Sequence, residues 1–190
     1  MSWKYDYWIV KNYYNREERI QIANYIERNN DGMEKIEKTA VDANNKSKKN
    51  TNTFTIEWQK IKNYMGNLES SIHVLNEQNF GYHLYSFNNL SKALLNVYDS
   101  KKKGSYDWHY DSSLSDMFDC KLTILVNLSD KYTGGYLHFF NDHDYVVKDF
   151  IPGSLLIFKS HINHMVTPVK SGVRKTLTLF GNGPKFRWVL

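Results

Sequence analysis

Apolar and polar positions change their spacing part-way along this chain. From about Phe80 onward they alternate in short runs, the two-residue period of half-buried strands, with turn residues between. The runs predict strands at Phe80–Phe87, Ala93–Tyr98, Tyr106–Tyr110, Leu122–Leu128, Tyr136–Phe140, Tyr145–Phe150, Ser154–Phe158, His164–Val169 and Arg174–Phe180. Gly134-Gly135 and Pro152-Gly153 read as turns. The first part of the chain reads differently. Tyr7-Trp8-Ile9-Val10 suggests a strand, and Asn15 followed three residues later by Glu18 is a capping box that opens a helix to about Asn29. Lys38 to Asn52 is polar and rich in Asn and Lys, as a loop would be. Trp58, Ile61, Tyr64, Met65, Leu68, Ile72 and Leu75 then recur at helical spacing and predict one long amphipathic helix packed on the outside of a sheet. Many short strands separated by turns indicate a sandwich or barrel, so the expected class is α+β, mainly β. No internal repeat or second-domain boundary is visible. The expectation is one domain over residues 1–190: a helical support with a loop (1–79), a β core (80–182) and a short tail laid over its end (183–190).

Composition fits that picture. With 190 residues, 41% hydrophobic and 15% aromatic, the chain has ample apolar surface for a single core. The lone Cys120 rules out an intrachain disulfide framework and suits a reducing compartment. No run approaches the roughly 20 apolar residues that span a bilayer, and Met1-Ser2-Trp3-Lys4-Tyr5-Asp6 does not begin a secretory signal, so a cytoplasmic protein with no membrane partner is expected. The net charge of +5 gathers at Lys46-Ser47-Lys48-Lys49 and Lys101-Lys102-Lys103. These read either as solvated loops or as a rim that attracts an acidic peptide or nucleic acid, and charge alone does not choose. No nucleic-acid-binding motif accompanies them, so a nucleic-acid partner is not expected.

Candidate chemistry centres on His109-Tyr110-Asp111. On a strand, residues two apart share a face, so His109 and Asp111 can reach one ion, and His164 can supply a third ligand from a neighbouring strand. Two imidazoles and one carboxylate leave coordination positions open. That suits a non-haem Fe(II) that must still bind co-substrate and oxygen, whereas structural zinc prefers four closed ligands. Ten residues after His164 stands Arg174, in a run whose alternation puts Arg174, Thr176, Thr178 and Phe180 on one face and Leu177 and Leu179 on the other. His161, His138, His143, His83 and His73 read as structural or surface histidines.

The text around these residues carries a resemblance. Gly134-Gly135-Tyr136-Leu137-His138-Phe139, Pro152-Gly153-Ser154-Leu155-Leu156-Ile157-Phe158, His164-Met165-Val166-Thr167-Pro168-Val169 and Gly172-Val173-Arg174 follow the ligand tripeptide in order. Over about Ala93 to Phe180, roughly half the chain, the sequence resembles the 2-oxoglutarate and Fe(II)-dependent dioxygenases, and within them the prolyl-4-hydroxylase-like group. The resemblance implies a double-stranded β-helix, or jelly-roll, core supported by N-terminal helices. It implies His109, Asp111 and His164 as iron ligands and Arg174 as the anchor of the distal carboxylate of 2-oxoglutarate. A guanidinium suits that place because it can replace lost hydration with two parallel charge-assisted hydrogen bonds. Less sharply, it implies a co-substrate contact at Tyr98, a site-lining Tyr106, and a place in the co-substrate pocket for Asn127, where some members carry a tyrosine, and for Thr176.

The implied cofactors are Fe(II), 2-oxoglutarate and O2, with ascorbate a candidate auxiliary reductant. The implied reaction hydroxylates a C–H bond, with a prolyl residue of a peptide or protein as the first substrate class, and releases succinate and CO2. A free amino acid, small metabolite or nucleobase is the alternative substrate, and a non-catalytic metal-binding jelly-roll module is the alternative of another class. Substrate choice is expected to lie in the loops Lys38–Asn52 and Ser112–Cys120.

Overall fold

The computed structural model describes residues 5–33, 48–88, 91–111, 116–141 and 143–186. In chain order the elements are β1 (Tyr7–Val10), α1 (Arg16–Asn29), β2 (Gly32–Met33), β3 (Lys49–Asn50), β4 (Asn52–Glu57), α2 (Trp58–Ile61) and α3 (Leu68–Asn79). Then follow β5 (Lys92–Asp99), β6 (Ser105–His109), β7 (Phe118–Asn127), β8 (Tyr132–Gly134), β9 (Leu137–Asn141), β10 (His143–Val146), β11 (Leu155–Lys159), β12 (Asn163–Val166) and β13 (Val169–Pro184). Two antiparallel sheets result. The larger runs β1-β11-β7-β13-β5-β4-β2, with β8 paired to β13, and the smaller runs β10-β9-β12-β6-β3. This is a mainly β, double-stranded β-helix fold.

Strand alternation explains why the larger sheet is buried on both faces. From β7, Leu122, Ile124 and Val126 pack outward with Leu155 and Ile157 of β11 and Leu177 and Leu179 of β13, against Ile22 and Ile26 of α1 and Ile72 of α3. Their neighbours turn inward, where Leu125, Leu156 and Phe158 meet Leu137, Phe139 and Val166 of the smaller sheet. At about 1.5–3 kcal/mol for each fully buried aliphatic side chain, the outward layer fixes the sheet that carries the inward polar positions.

The helix α1 begins as expected. Asn15 accepts from the Glu18 amide at 3.0 Å, and Glu18 accepts from the Asn15 amide at 2.8 Å. The long second helix is instead interrupted. Gly66, at φ +55, ends the turn Lys62–Tyr64, and α3 starts afresh at Leu68, although Trp58, Ile61, Met65, Leu68 and Ile72 all reach the core. Phe80–Phe87 is not a strand: side chains of α3 take several of its backbone groups, and the Tyr85 amide donates singly to the Asn182 carbonyl of β13 at 2.8 Å. Asn76 donates to the Tyr82 carbonyl at 2.7 Å and accepts from the Tyr82 amide at 3.1 Å, while Glu69 accepts from the Phe87 amide at 2.8 Å. β10 stops at Val146, short of Phe150, because the chain then folds into turns in which the amides of Ile151 and Ser154 bond to the carbonyls of Asp149 and Ile151.

The two expected loops are narrower at their described ends, since Lys49–Asn50 and Asn52 lie in β3 and β4, and Phe118–Cys120 opens β7. Residues 38–47 and 112–115 of those loops lie outside the described residues, as do 187–190 of the tail. The start of the tail, Gly183-Pro184, completes β13.

Candidate metal centre and co-substrate pocket

The register of the smaller sheet makes the site. β12 pairs with β6 so that His164 stands opposite His109, and their rings lie 4.1 Å apart. Asp111 follows β6, and its amide donates to the Ser160 carbonyl at 3.0 Å, which holds the segment against the turn before β12. Each histidine is oriented from behind: Nδ1 of His109 lies 2.7 Å from the Asp107 carbonyl, and Nδ1 of His164 lies 2.9 Å from the Ile162 carbonyl. Donation from Nδ1 leaves each Nε2 with its lone pair, the form that binds a metal. His109 Nε2 is 3.9 Å from Asp111 Oδ1, and His164 Nε2 is 3.6 Å from Asp111 Oδ2. One ligand atom from each residue lies within 4.8 Å of the others. Donor atoms about 2.1 Å from a common ion stand at most about 4.2 Å apart, so small side-chain rotations let all three grip one ion.

Burial first and the neighbouring His164 second lower the His109 pKa to about 4, with Asp111 partly opposing the shift. His109 is therefore neutral at physiological pH, ready to coordinate. The ring of Tyr106 lies flat on it, 3.5 Å between centroids and 14° between planes. Phe158 meets His164 edge-on at 4.9 Å.

Behind the carboxylate lies a chain of hydroxyls that sequence inspection missed. Thr123 Oγ1 donates to Asp111 Oδ2 at 2.6 Å, Ser160 Oγ lies 3.0 Å from Thr123 Oγ1, and Cys120 Sγ lies 3.0 Å from Ser160 Oγ. The Thr123 bond occupies one carboxylate oxygen and leaves Oδ1 for an ion. Burial pushes the Cys120 thiol up to about 12. The signal in the sequence was that Thr123 shares the inward face of its strand with Leu125.

The second half of the site sits on β13. Arg174 pairs with Tyr98 of β5 and is only 1% exposed, its guanidinium 5.0 Å from the Tyr98 ring and 5.8 Å from that of Phe150. Its Nε and Nη2, and the Oγ1 of Thr176 on the same face, are buried and make no hydrogen bond among the described residues. Such groups ordinarily find partners, so three together form a cradle for an oxygen-rich anion. Gly135, at φ +59, makes room: a Cβ there would stand 2.9 Å from Arg174 Cδ. Burial raises the Tyr98 pKa while Arg174 opposes the shift.

Asn127 stands beside Thr176 across the strand pair, with its amide engaged within the protein. Its Nδ2 donates to the Tyr132 hydroxyl and the Phe150 carbonyl, both at 3.1 Å, and its Oδ1 accepts from the Ser129 amide at 3.2 Å. No donor remains for a ligand. Tyr106 is a buttress of His109. Of the histidines outside the cluster, His161 is exposed on a turn and His138 bonds Asp144 at 2.8 Å.

Residues 93–182, which carry the three candidate ligands and Arg174, match the 2OG-Fe(II) oxygenase superfamily. The match covers just under half of the chain. Solved structures of similar fold include a prolyl-4-hydroxylase from Pseudomonas putida, 16% identical, with a TM-score of 0.68 over 94% of this chain and 93% of that one. A prolyl hydroxylase from Trichoplax adhaerens, in complex with a hypoxia inducible factor peptide fragment, is 18% identical with a TM-score of 0.64 over 93% and 83%. The carbocyclase SnoK from nogalamycin biosynthesis is 13% identical with a TM-score of 0.65 over 93% and 79%. At these identities the likeness is one of fold. No curated protein matches the chain. The oxygenase family implies Fe(II), 2-oxoglutarate and O2, and the donor set described above fits the first two.

Proposed function

We propose that this oxygenase hydroxylates a prolyl residue of a peptide or protein at the expense of 2-oxoglutarate and O2, releasing succinate and CO2. The observation that carries the reading is the pairing of an open His-Asp-His cluster with a buried arginine whose donors lack partners. His109 and His164 would hold Fe(II) through Nε2 and Asp111 through Oδ1, while Arg174 and Thr176 would take the distal carboxylate of 2-oxoglutarate. The bound iron supplies activation of oxygen for attack on an unactivated C–H bond. The protein's part is positional: Tyr106 and Phe158 keep the imidazoles from turning, Thr123 fixes the carboxylate, and Tyr98 and Phe150 exclude water from the guanidinium. The likeness in fold to prolyl hydroxylases from a bacterium and an animal supports the substrate class.

Incubation with Fe(II), 2-oxoglutarate and a broad set of proline-bearing peptides should give a mass gain of one oxygen on proline, with stoichiometric succinate. Succinate release with no oxidised peptide would refute the prolyl substrate and leave the co-substrate chemistry. A second reading, the same chemistry on a small metabolite, draws on the likeness in fold to the carbocyclase. Metabolite profiling with and without the enzyme would detect it.

A further inference from the structure

A cavity of about 330 Å³ opens between two stretches of chain, residues 130–137 leading into β9 and residues 147–152 after β10. One side chain clamps both walls: Asn127 donates to the Tyr132 hydroxyl on the first and to the Phe150 carbonyl on the second, each at 3.1 Å. The Val147 amide closes the inner end by donating to the Leu137 carbonyl at 2.9 Å. The cavity adjoins the co-substrate cradle without being part of it. Gly135 and Phe150 line it and also stand against Arg174, whereas Arg174, Thr176 and the three candidate metal ligands do not line it.

Its lining joins an apolar floor to an unbalanced positive charge. Leu137, Val147 and Phe150 are buried beneath it, and Tyr136 and Ile151, 54% and 43% exposed, leave apolar surface open at its mouth. Lys131 and Lys148, both exposed, also line it, and among the described residues no carboxylate pairs with either. The acid in the lining, Asp130, gives its two oxygens to Arg16 at 3.1 and 2.9 Å, and Asp149 beside Lys148 pairs with Lys11 at 2.9 Å. The Tyr132 hydroxyl accepts from Asn127, and among the described residues its own proton has no acceptor.

Small-molecule sites are concave and mostly apolar, with a few polar groups that fix orientation, and their volumes begin at about 300 Å³. Two unmatched ammonium groups and a free phenolic donor above an apolar floor suit an anion with an apolar body: the donors hold the charged end while the floor takes the rest out of water. We propose that this cavity is a second ligand site, separate from the 2-oxoglutarate cradle, for a small carboxylate that carries an aromatic or branched apolar group. A cationic ligand would meet Lys131 and Lys148. A ligand polar throughout would be stripped of water against Leu137 and Val147 with no partner there.

The test is fluorine NMR on the full chain with three probes: para-fluorophenylacetate, its neutral amide and the cationic para-fluorophenethylamine. The carboxylate signal should broaden saturably, with an affinity about tenfold or more above that of the amide, and the amine should bind most weakly. The double variant Lys131→Gln/Lys148→Gln should remove most of the preference for the carboxylate. Ile151→Trp, a bulkier side chain at an exposed position of the mouth, should weaken the carboxylate and the amide alike. Binding of the carboxylate should persist in Arg174→Met and under excess 2-oxoglutarate. Displacement by 2-oxoglutarate together with loss in Arg174→Met would put the probe in the co-substrate cradle and overturn the proposal. So would the absence of saturable broadening, equal affinities for the three probes, or wild-type binding in both cavity variants.

Discussion

Replacing Arg174 by methionine should raise the stability of the ligand-free protein while abolishing its hold on 2-oxoglutarate. The side chain is 1% exposed, and two of its three nitrogens have no partner. An unsatisfied buried donor costs about 1–3 kcal/mol, and apolar replacements of buried charges often stabilise by about 1–4 kcal/mol. Methionine is a flexible, unbranched substitute that can keep packing against Tyr98 and Phe150, so Arg174→Met should gain about 1–3 kcal/mol in metal-free, 2-oxoglutarate-free buffer. With co-substrate the sign reverses. Two charge-assisted hydrogen bonds at about 1.5–3 kcal/mol each are lost, which weakens binding roughly a hundredfold or more. Urea unfolding with and without 2-oxoglutarate reads both effects. The wild type should gain stability as 2-oxoglutarate is added, and Arg174→Met should start higher and not respond. A variant that is less stable than wild type without ligand, or one whose stability still rises with 2-oxoglutarate, would refute the reasoning that the guanidinium waits for a carboxylate.

Thr123→Val keeps the shape but removes the donor to Asp111 Oδ2, and should weaken Mn(II) or Co(II) binding by about 10- to 100-fold in a metal titration; unchanged affinity would deny Thr123 its orienting part. Because burial lowers the folded His109 pKa to about 4, the unfolded chain binds an extra proton below about 6.5. Metal-free stability should therefore be intact at pH 7 and fall by up to about 3 kcal/mol as the pH drops toward 4, a loss that His109→Phe should largely remove in urea titrations at the two pH values. Cys120, its thiol pushed up to about 12, should react with iodoacetamide at pH 8 about 100- to 1,000-fold more slowly in native buffer than in urea, followed by mass spectrometry.

Periodicity made the inward and outward faces legible. Arg174 and Thr176 against Leu177 and Leu179, and His109 with Asp111, follow from residue spacing, and the Asn15 capping box declared the start of α1. What stayed hidden depends on register between strands. Thr123, Ser160 and Cys120 touch only because β7 and β11 align as they do. The helical stripe from Trp58 to Leu75 persisted through the break at Gly66 because the burial pattern continues while the backbone turns. Phe80–Phe87 has a strand's composition, yet Asn76 and Glu69 take the backbone groups of Tyr82 and Phe87 that a strand would pair with a neighbour.

A single sixteen-residue strand, β13, carries Arg174 on one face and the core leucines Leu177 and Leu179 on the other while bonded to β5, β7 and β8. The proposed grip on the co-substrate therefore has no hinge of its own. Releasing it by local fraying would mean tearing the centre of the sheet, so amide hydrogens around residues 174–179 should exchange only through global unfolding, and any ligand that tightens this grip makes the whole domain harder to open.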